Sequence, residues 1–582
     1  MLNLDGFQSK SLKELEKLSD EIAVFLADKT VYDVETIMHN IAVLETTIAL
    51  HRVFDMSKDS LIFDDGKDSL VHQILTGRSE SLKLRAANSI YLDGSHASDA
   101  YTGGPMGDGL GFGLGHSLVS EGRTIVVMND FALNYGSTYE ALLQISRLNP
   151  DLTLVVIDEQ KSLLRHYNSM NAAIKSVRIS KTYTELKKDM KIVLDSNPIS
   201  RPILSTLTYV RDVVKETVIE PTIFKQFGMD YQGPIDGQNI NELMKTFKLS
   251  QKMSGPHVIH VQTRIREKKK RKLEFPAFKT DYERPDNYTD YIQTLDRVLV
   301  NYDDIVMVND AHMMADHFKE FMFRFPDAYH TTSGSVDLMM SMVAGLVKDR
   351  SRGVVSLTSK LAPEIITRIV THFDQKNIDL LILVRDTGLG LYGDPMNHGI
   401  YDFVLSLNAP HLDIFMAKDM LEAGLLLERM LETKGLRILR IPSGVEEVAM
   451  DNYDVSSIWD ELIPVNDTKS AVILTFGPSV RQFERKIRVN QLDIALVNCR
   501  LVNRIDESLL MKIYDLGLDV LIYNSEGRFD VLSHEVLKYL NENKMSMNVR
   551  SVNLESVDLN YGSKVLKDVH KMHIDDVLNS LK

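Results

Sequence analysis

The stretch from Thr124 to Gln160 constrains the fold most strongly. An apolar run, TIVVM, ends in Asn129 and Asp130, and after a helical stretch a second apolar run, LTLVVI, ends in DEQ at 158–160. This pattern predicts two parallel strands joined by a crossover helix, with both polar ends at the same carboxyl edge of a sheet. Oxygen ligands at that edge could hold a magnesium ion that carries a diphosphate. The alternative is that Asn and Asp serve there only as turn residues.

Size and composition narrow the class of protein. The chain has 582 residues, which is too long for one hydrophobic core. Its formal charge of −14 argues against a general nucleic-acid binder and against binding to anionic membranes. The single cysteine, Cys499, excludes an internal disulfide and a cysteine zinc cluster. Apolar stretches of membrane-spanning length and the order of a signal peptide are absent from the sequence, so we expect a cytoplasmic protein.

Helical patterns alternate with short β-branched runs throughout the chain. This alternation is typical of α/β domains with mainly parallel sheets and helices on both faces. A polar stretch that contains REKKKRK interrupts it, and we interpret this stretch as a solvated linker because the protein as a whole is acidic. We therefore predict three consecutive α/β domains at residues 1–270, 288–465 and 466–582, with a linker at 271–287.

A glycine-rich segment, residues 101–115, precedes the first of these strands. It holds too many glycines for an ordinary helix, so its backbone must pass close to another group. Gly107, Gly111 and Gly115 recur at every fourth residue, which predicts a smooth helix face for close packing. Contact with a phosphate is the alternative, although the segment matches neither the P-loop nor the dinucleotide fingerprint.

Six motifs, in order along the chain, resemble the thiamine-diphosphate-dependent 1-deoxy-D-xylulose-5-phosphate synthases, which are relatives of transketolase. The motifs are VLETTIALH at 43–51, DDGKDSLVHQILTGR at 64–78, YQGPIDGQN at 231–239, RDTGLGLYGDPMNHG at 385–399, LRIPSG at 439–444 and LVNCRLVNRIDESLL at 496–510, and the stretch from His330 to Val347 also matches. The resemblance covers essentially the whole chain.

The resemblance implies a transketolase-like homodimer whose three domains bind the diphosphate, bind the pyrimidine ring and form the transketolase C-terminal domain. It implies a transferase of isoprenoid biosynthesis that condenses pyruvate with glyceraldehyde 3-phosphate, with thiamine diphosphate and Mg²⁺ as cofactors. Carried over position by position, the catalytic residues are His398 and His72. The cofactor-binding residues are Asp130, Asn129, Gly107, Asp108, Gly109, Glu159 and Gln160, of which Asp130 and Gln160 bind the metal.

Several functional positions depart from the family's pattern. The glutamate that activates the aminopyrimidine ring falls on Val336, which cannot exchange a proton and is followed by Asp337. The arginines that hold the aldehyde's phosphate fall on Asp386 and Ser443, and a carboxylate repels a phosphate. The remaining changes are at histidine positions, which fall on Thr36, Lys67 and Gln238, and at the aromatic cover of the pyrimidine, which falls near Ser359 and Lys360.

Two hypotheses follow. In the first, the protein is a divergent thiamine-diphosphate-dependent transferase that acts on a 2-oxo acid or ketose, with the family reaction itself in doubt; Asp130 and His398 favour it. In the second, it is a non-catalytic pseudoenzyme with a binding or regulatory role; Val336 and Asp386 favour it. The two hypotheses divide over the cofactor, and we predict weak, strictly magnesium-dependent binding of thiamine diphosphate at most. For His72, structural hydrogen bonding is an equal alternative to catalysis.

Overall fold

The structure, a computed structural model, describes most of the chain. The described residues are 2, 4–29, 34–84, 96–101, 107–158, 222–263, 288–310, 318–332, 335–347, 352–374, 379–390, 398–442, 454–468, 470–554 and 561–581. They fall in two compact units, residues 1–86 with 90–277, and residues 278–582 with 87–89. Within the described ranges, no helix is long and apolar enough to cross a membrane.

The first unit contains a five-stranded parallel sheet with the order β1-β2-β3-β5-β4. The strands are β1 (Ser60–Phe63), β2 (Thr124–Asn129), β3 (Leu152–Asp158), β4 (Asp230–Asp236) and β5 (His257–Gln262). A helix at Gly136–Leu148 connects β2 to its parallel neighbour β3. The prediction of two parallel strands joined by a crossover helix is confirmed.

Helices cover both faces of this sheet. They are α1 (Leu12–Lys29), α2 (Val34–Ala42), α3 (Leu44–Val53), α4 (Leu70–Leu75), α5 (Ser79–Leu84), α6 (Gly109–Ser117), α7 (Gly136–Leu148), α8 (Thr222–Gln226) and α9 (Ile240–Ser250). Alternate residues of β2 enter different cores: Val126 and Met128 pack on the face of α6 and α7. Ile125 and Val127 pack on the face of α3 and α9. The run TIVVM is continuously apolar because the strand is buried on both sides.

The second unit contains two further sheets. The larger is parallel throughout, with the order β10-β11-β9-β8-β6-β7. Its strands are β6 (Ile305–Asp310), β7 (Tyr329–Thr332), β8 (Arg352–Thr358), β9 (Leu380–Thr387), β10 (Leu412–Met416) and β11 (Leu436–Pro442). The described helices that precede or connect them are α10 (Tyr288–Leu299), α11 (Lys319–Arg324), α12 (Val336–Leu346), α13 (Ile366–Arg368), α14 (Leu405–Asn408) and α15 (Met420–Glu432).

The third sheet has the order β12-β14-β13-β15-β16, with β12 as an antiparallel edge strand. Its strands are β12 (Asp460–Ile463), β13 (Ala471–Thr475), β14 (Ile494–Asn498), β15 (Asp519–Tyr523) and β16 (Val549–Val552). The helices are α16 (Ser479–Val489), α17 (Glu507–Asp515), α18 (Val531–Glu542), α19 (Ser563–Val569) and α20 (Ile574–Asn579). Three mainly parallel sheets with helices confirm the predicted α/β fold class, whereas the exact domain boundaries stay predictions.

The second and third sheets share one hydrophobic core. Ile382 of β9 and Val472 of β13 belong to the same cluster of buried side chains, together with Met339 and Met340 of α12. Buried ion pairs run beside this core. The guanidinium of Arg440 lies 2.7 Å from a carboxylate oxygen of Asp402, and both side chains are inaccessible to solvent. The two sheets of the second unit are therefore packed as one body.

Candidate functional site

The carboxyl edge of the first sheet carries the polar strand ends that the sequence singled out. In the register of the parallel pairs, Asn129 lies opposite Ile157, and Asp158 lies opposite Gln262. The last residues of β2, β3 and β5 therefore reach the same edge. This is the edge at which open parallel sheets bind ligands.

Asn129 and Asp130 have different roles at this edge. The side-chain oxygen of Asn129 accepts a hydrogen bond from Phe131 N at 3.0 Å and caps the short 3-10 helix Asp130–Asn134. For Asn129 the turn-residue alternative thus explains the residue without a ligand. Asp130 lies in the first turn of that helix and is partly exposed. A carboxylate in this position is the kind of oxygen ligand that Mg²⁺ accepts.

Asp158 is turned into the protein. Its side chain is buried, and one carboxylate oxygen lies 3.2 Å from Nε2 of His260 on β5. His260 Nδ1 lies 2.7 Å from the hydroxyl of Tyr231 on β4. The carboxylate thus belongs to an Asp-His-Tyr series of hydrogen bonds, in which the aspartate and the histidine are buried and the tyrosine is half-buried. Glu159 and Gln160 lie outside the described residues, so the predicted metal pair of Asp130 and Gln160 stays a prediction. In the part of the chain that the structure describes, no three His, Cys, Asp or Glu residues are grouped to hold a metal ion.

The glycine segment is explained largely by close packing inside the protein. A Cβ atom on Gly109 would lie 2.5 Å from Cα of Asp64, and one on Gly113 would lie 2.3 Å from Cγ2 of Val126. Gly111 and Gly115 face open space. The predicted smooth face through Gly107, Gly111 and Gly115 is therefore wrong in register. Helix α6 begins only at Gly109 and packs with Gly109 and Gly113.

Gly107 precedes helix α6 and adopts a left-handed backbone conformation, with φ of 97°. A Cβ atom there would lie 2.8 Å from the ring of Tyr135. The backbone N–H groups of Gly107 and Gly109 both donate to the carboxylate of Asp64, at 2.8 and 2.7 Å. These two donors are thus already engaged. Asp108, which lies between them, is exposed, although partial desolvation raises the pKa of its carboxyl group.

Asp64 follows β1 and is a further residue of this edge. Burial raises the pKa of its carboxyl group to about 6, although the two glycine N–H groups act in the opposite direction. The sequence reasoning missed Asp64. The available signal was the same one that identified Asp130, an apolar strand, SLIF, that ends in acidic residues.

His72 lies in a buried network, and its ring packs against that of Phe63, the last residue of β1. Its Nε2 lies 3.0 Å from a carboxylate oxygen of Asp99, and its Nδ1 lies 2.9 Å from Nε2 of His51. Arg78 donates to both carboxylate oxygens of Asp99. Burial lowers the pKa of both imidazoles, so they are neutral at pH 7. The geometry favours the structural alternative for His72, whose catalytic role stays a prediction.

His398 belongs to the second unit. It is fully buried, and its Nδ1 accepts a hydrogen bond from Gly390 N at 3.0 Å. The adjacent Gly399 forms a bridge with Gly388. His398 therefore fixes the two ends of the segment 388–399, of which residues 391–397 lie outside the described ranges. Its catalytic role also stays a prediction.

The position predicted for the activating glutamate lies in the hydrophobic core. Val336 is 3% exposed and packs with Met339, Met340 and Val343 at the start of α12. Asp337 points away from this core: its side chain is 70% exposed and forms an ion pair with Arg368 at 3.0 Å. Neither residue brings a carboxylate to the buried face of the helix.

The other substituted positions are distributed over both units. Asp386, the residue before the last of β9, has a left-handed conformation, with φ of 56°. The hydroxyl of Ser359 donates to Asp402 inside the second unit. In the first unit, Thr36 is buried, and the backbone N–H groups of Lys67 and Gln238 donate to nearby aspartates in turns. Ser443 lies outside the described residues.

Comparisons with known proteins agree with the resemblance. A family model described as 1-deoxy-D-xylulose-5-phosphate synthase matches residues 3–263. Proteins of that name are similar along nearly the whole chain. The protein of Macrococcus caseolyticus is 22% identical over 96% of this chain and 94% of its own length. That of Clostridium tetani is 24% identical over 97% and 95%. That of Halalkalibacterium halodurans is 26% identical over 92% and 90%.

Among solved structures, one match is described as a split gene transketolase, inactive beta4 tetramer. It has a TM-score of 0.43 and 18% identity, and it covers 50% of this chain and 95% of that one.

Proposed function

Because the chain is a divergent relative of the 1-deoxy-D-xylulose-5-phosphate synthases, a family that uses thiamine diphosphate, we propose that it binds this cofactor at the carboxyl edge of the first sheet. The proposed activity is that of a transketolase-type transferase that acts on a 2-oxo acid or ketose. The observation that carries the proposal is the placement of Asp130, a partly exposed carboxylate directly after β2.

The donor chemistry at this edge fits a diphosphate only through a cation. Asp130 supplies an oxygen of the type that Mg²⁺ binds, and the carboxylate of the neighbouring Asp108 would otherwise repel a diphosphate. The N–H groups of Gly107 and Gly109 already donate to Asp64, so they add little direct affinity. Bound thiamine diphosphate would supply carbanion chemistry, and Asp130 would hold its metal. We therefore expect weak binding that depends strictly on Mg²⁺.

Calorimetric titration of the purified chain with thiamine diphosphate, with and without Mg²⁺, tests this proposal. We expect a binding signal with Mg²⁺ and none after chelation. Tight binding that persists after chelation would contradict the proposed role of Asp130, and absence of binding at millimolar cofactor would contradict the proposed cofactor.

The substrate is proposed to differ from that of the named relatives. Asp386 and Ser443 stand where the resemblance places arginines that hold the aldehyde's phosphate, and an anionic side chain disfavours a phosphorylated acceptor. The purified chain should form little 1-deoxy-D-xylulose 5-phosphate from pyruvate and glyceraldehyde 3-phosphate. Substantial product formation, measured by chromatography of the reaction mixture, would refute this part of the proposal.

A non-catalytic role is the second candidate, and Val336 favours it. The side chain packs in the core of the second unit, and the neighbouring Asp337 is paired with Arg368 at the surface. A protein without a carboxylate at this position lacks the family's group for activating the cofactor. Exchange of the thiazolium C2 proton for deuterium, followed by NMR on the Mg²⁺-bound complex, separates the two candidates. Exchange faster than that of free cofactor supports the enzyme, whereas unchanged exchange supports the pseudoenzyme.

The same proposal includes a cytoplasmic homodimer. The dimer is inferred from the resemblance, and an exposed apolar side chain on α12, that of Leu338, is a candidate contact with the second copy.

A further inference from the structure

Asp64 connects the first strand of the sheet to the turn at residues 107–109, the part of the glycine segment that leads into α6. We infer that Asp64 is the positioning residue of this edge, since it fixes the glycine segment relative to the stretch that carries Asp130. The inference rests on the proposed function, because the segment and Asp130 are two parts of the proposed diphosphate site.

The contacts of Asp64 are short and shielded from water. One carboxylate oxygen lies 2.8 Å from Gly107 N and the other 2.7 Å from Gly109 N, and the residue is 1% exposed. Its own backbone N–H donates to Val127 O of β2 at 2.9 Å. Charge-assisted hydrogen bonds in a dry environment are stronger and more directional than those between neutral groups. Asp64 therefore holds both ends of the turn at residues 107–109.

The segment is fixed from its other side by the start of α7. The hydroxyl of Ser137 donates to Gly107 O at 3.0 Å, and the ring of Tyr135 lies directly against Gly107. Both residues follow the 3-10 helix that begins with Asp130. One short stretch of chain, residues 130–137, thus carries the proposed metal ligand and contacts the glycine segment. A displacement of the segment would be passed on to Asp130.

The packing around the contact leaves no room for a side chain at Gly107 or Gly109. A Cβ atom on Gly109 would lie 2.5 Å from Cα of Asp64, and Gly107 needs a backbone conformation that other residues rarely adopt. Asparagine has the shape of aspartate, but its amide group offers only one oxygen to two N–H donors. Asp64→Asn therefore removes one hydrogen bond and places an NH₂ group against a backbone N–H, with little change in volume.

The carboxylate faces other acidic groups. Asp65 and Asp108 are close enough to disfavour its charge, and burial has the larger effect in the same direction. The hydroxyl of Tyr101 is near enough for the charges of Asp108 and Asp64 to contribute to raising its pKa to about 12, although burial is again the larger cause. The ionised form of Asp64 accepts from both glycines, whereas the protonated form has one oxygen that must donate. The contact should weaken as the pH falls through about 6.

Asp59 provides a matched control at the opposite end of β1. It also accepts two backbone N–H groups, those of Arg123 and Asp55, both at 3.0 Å. Asp59→Asn makes the same chemical change at the amino edge of the sheet, away from the glycine segment. Any effect common to both variants is then an effect on stability.

The test compares the wild-type chain, Asp64→Asn and Asp59→Asn by calorimetric titration with Mg²⁺ and thiamine diphosphate between pH 5 and 8. We expect Asp64→Asn to weaken binding about tenfold or more at pH 7.5, the scale of one charge-assisted hydrogen bond lost, and Asp59→Asn to leave it unchanged. The affinities of the wild-type chain and of Asp59→Asn are each compared with that of Asp64→Asn at the same pH. Both should exceed it at pH 7.5, and this advantage should shrink below pH 6. Equal affinities of the wild-type chain and Asp64→Asn would overturn the inference.

Hydrogen-deuterium exchange of the Gly107 and Gly109 amides keeps the inference separate from the proposed function. Absence of binding by the wild-type chain would contradict the proposed cofactor alone, and the positioning role would then be judged on exchange. Faster exchange of these amides and of residues 130–137 in Asp64→Asn, but not in Asp59→Asn, supports it. Unchanged exchange at residues 130–137 overturns it.

Discussion

The carboxylate of Asp337 pairs with Arg368 at the surface, while the preceding residue, Val336, lies in the core. Adjacent residues on a helix point about 100° apart, so one cannot substitute for the other. A carboxylate one position later in the sequence does not restore a buried acid.

Replacement of Val336 by glutamate should destabilise the second unit rather than create an active site. An unpaired carboxylate in the core costs more than about 3 kcal/mol of unfolding free energy. Urea denaturation followed by the fluorescence of Trp459, the single tryptophan and a member of the same core, measures this loss. The matched control is Val343→Glu, on the buried face of the same helix. A much smaller loss for Val336→Glu than for Val343→Glu would mean that position 336 faces a polar cavity.

Replacement of Asp130 by alanine should abolish the magnesium-dependent binding of thiamine diphosphate, because the metal loses a charged ligand at the sheet edge. Calorimetric titration at saturating Mg²⁺ measures this. Asp151→Ala is the control: Asp151 directly precedes β3, and its exposed side chain pairs with Arg123. Retained affinity in Asp130→Ala would show that the metal binds elsewhere.

Asp99 should stabilise the first unit at neutral pH and lose that effect in acid. Burial alone would raise the pKa of this carboxyl group, but hydrogen bonds from His72 and Arg78 outweigh it and lower the pKa to about 2. A folded-state pKa below the unfolded value stabilises the protein above about pH 4, here by about 2 kcal/mol, and the effect disappears as the pH falls toward 2.

Hydrogen exchange in the peptide that contains His72, compared between the wild-type chain and Asp99→Asn, measures this dependence. The difference in protection should be largest near pH 6 and should shrink below pH 4. A difference that stays constant with pH would show that Asp99 acts through its shape and not through its charge.

The proposed homodimer should depend on the exposed face of α12. Leu338 is 56% exposed beside the buried Met339, so an aspartate there would place a charge in the proposed interface without disturbing the core. Light scattering coupled to gel filtration should report a dimer for the wild-type chain and a monomer for Leu338→Asp. Leu537→Asp, at a leucine of α18 that is 51% exposed, should stay dimeric. A wild-type monomer at micromolar concentration would contradict the dimer itself.

Strand positions could be predicted from the sequence because a fully buried strand has a continuous apolar run, as TIVVM and LTLVVI do. The residues of the glycine segment that face the sheet could not be predicted in the same way. Spacing alone does not show that α6 begins at Gly109 or that β2 places Val126 beneath Gly113. Which glycines pack closely depends on which face of α6 meets the sheet.

The orientation of Asp158 was also beyond the sequence. An acidic residue at a strand end looks the same whether it faces a ligand or the interior, and its partner His260 is 102 residues away. The antiparallel strand β12 was not predicted from the sequence, because an edge strand that is short and only half-buried has no continuous apolar run. The orientation of Asp158 and the pairing of β12 both depend on partners that are distant in the sequence.

Arg440 gives the second unit a property that its two sheets would not have separately. Its guanidinium binds Asp402 and also donates to the backbone carbonyl of Glu526, in the third sheet's part of the chain, at 2.6 Å. Arg500, which follows β14, lies 2.8 Å from Glu422 of α15 in the same buried manner. Removal of the chain after residue 465 would leave Glu422 without this partner and expose the shared core to water. The C-terminal 117 residues should therefore stabilise the second unit, and a chain that ends at residue 465 should fold less stably than one that contains the whole unit.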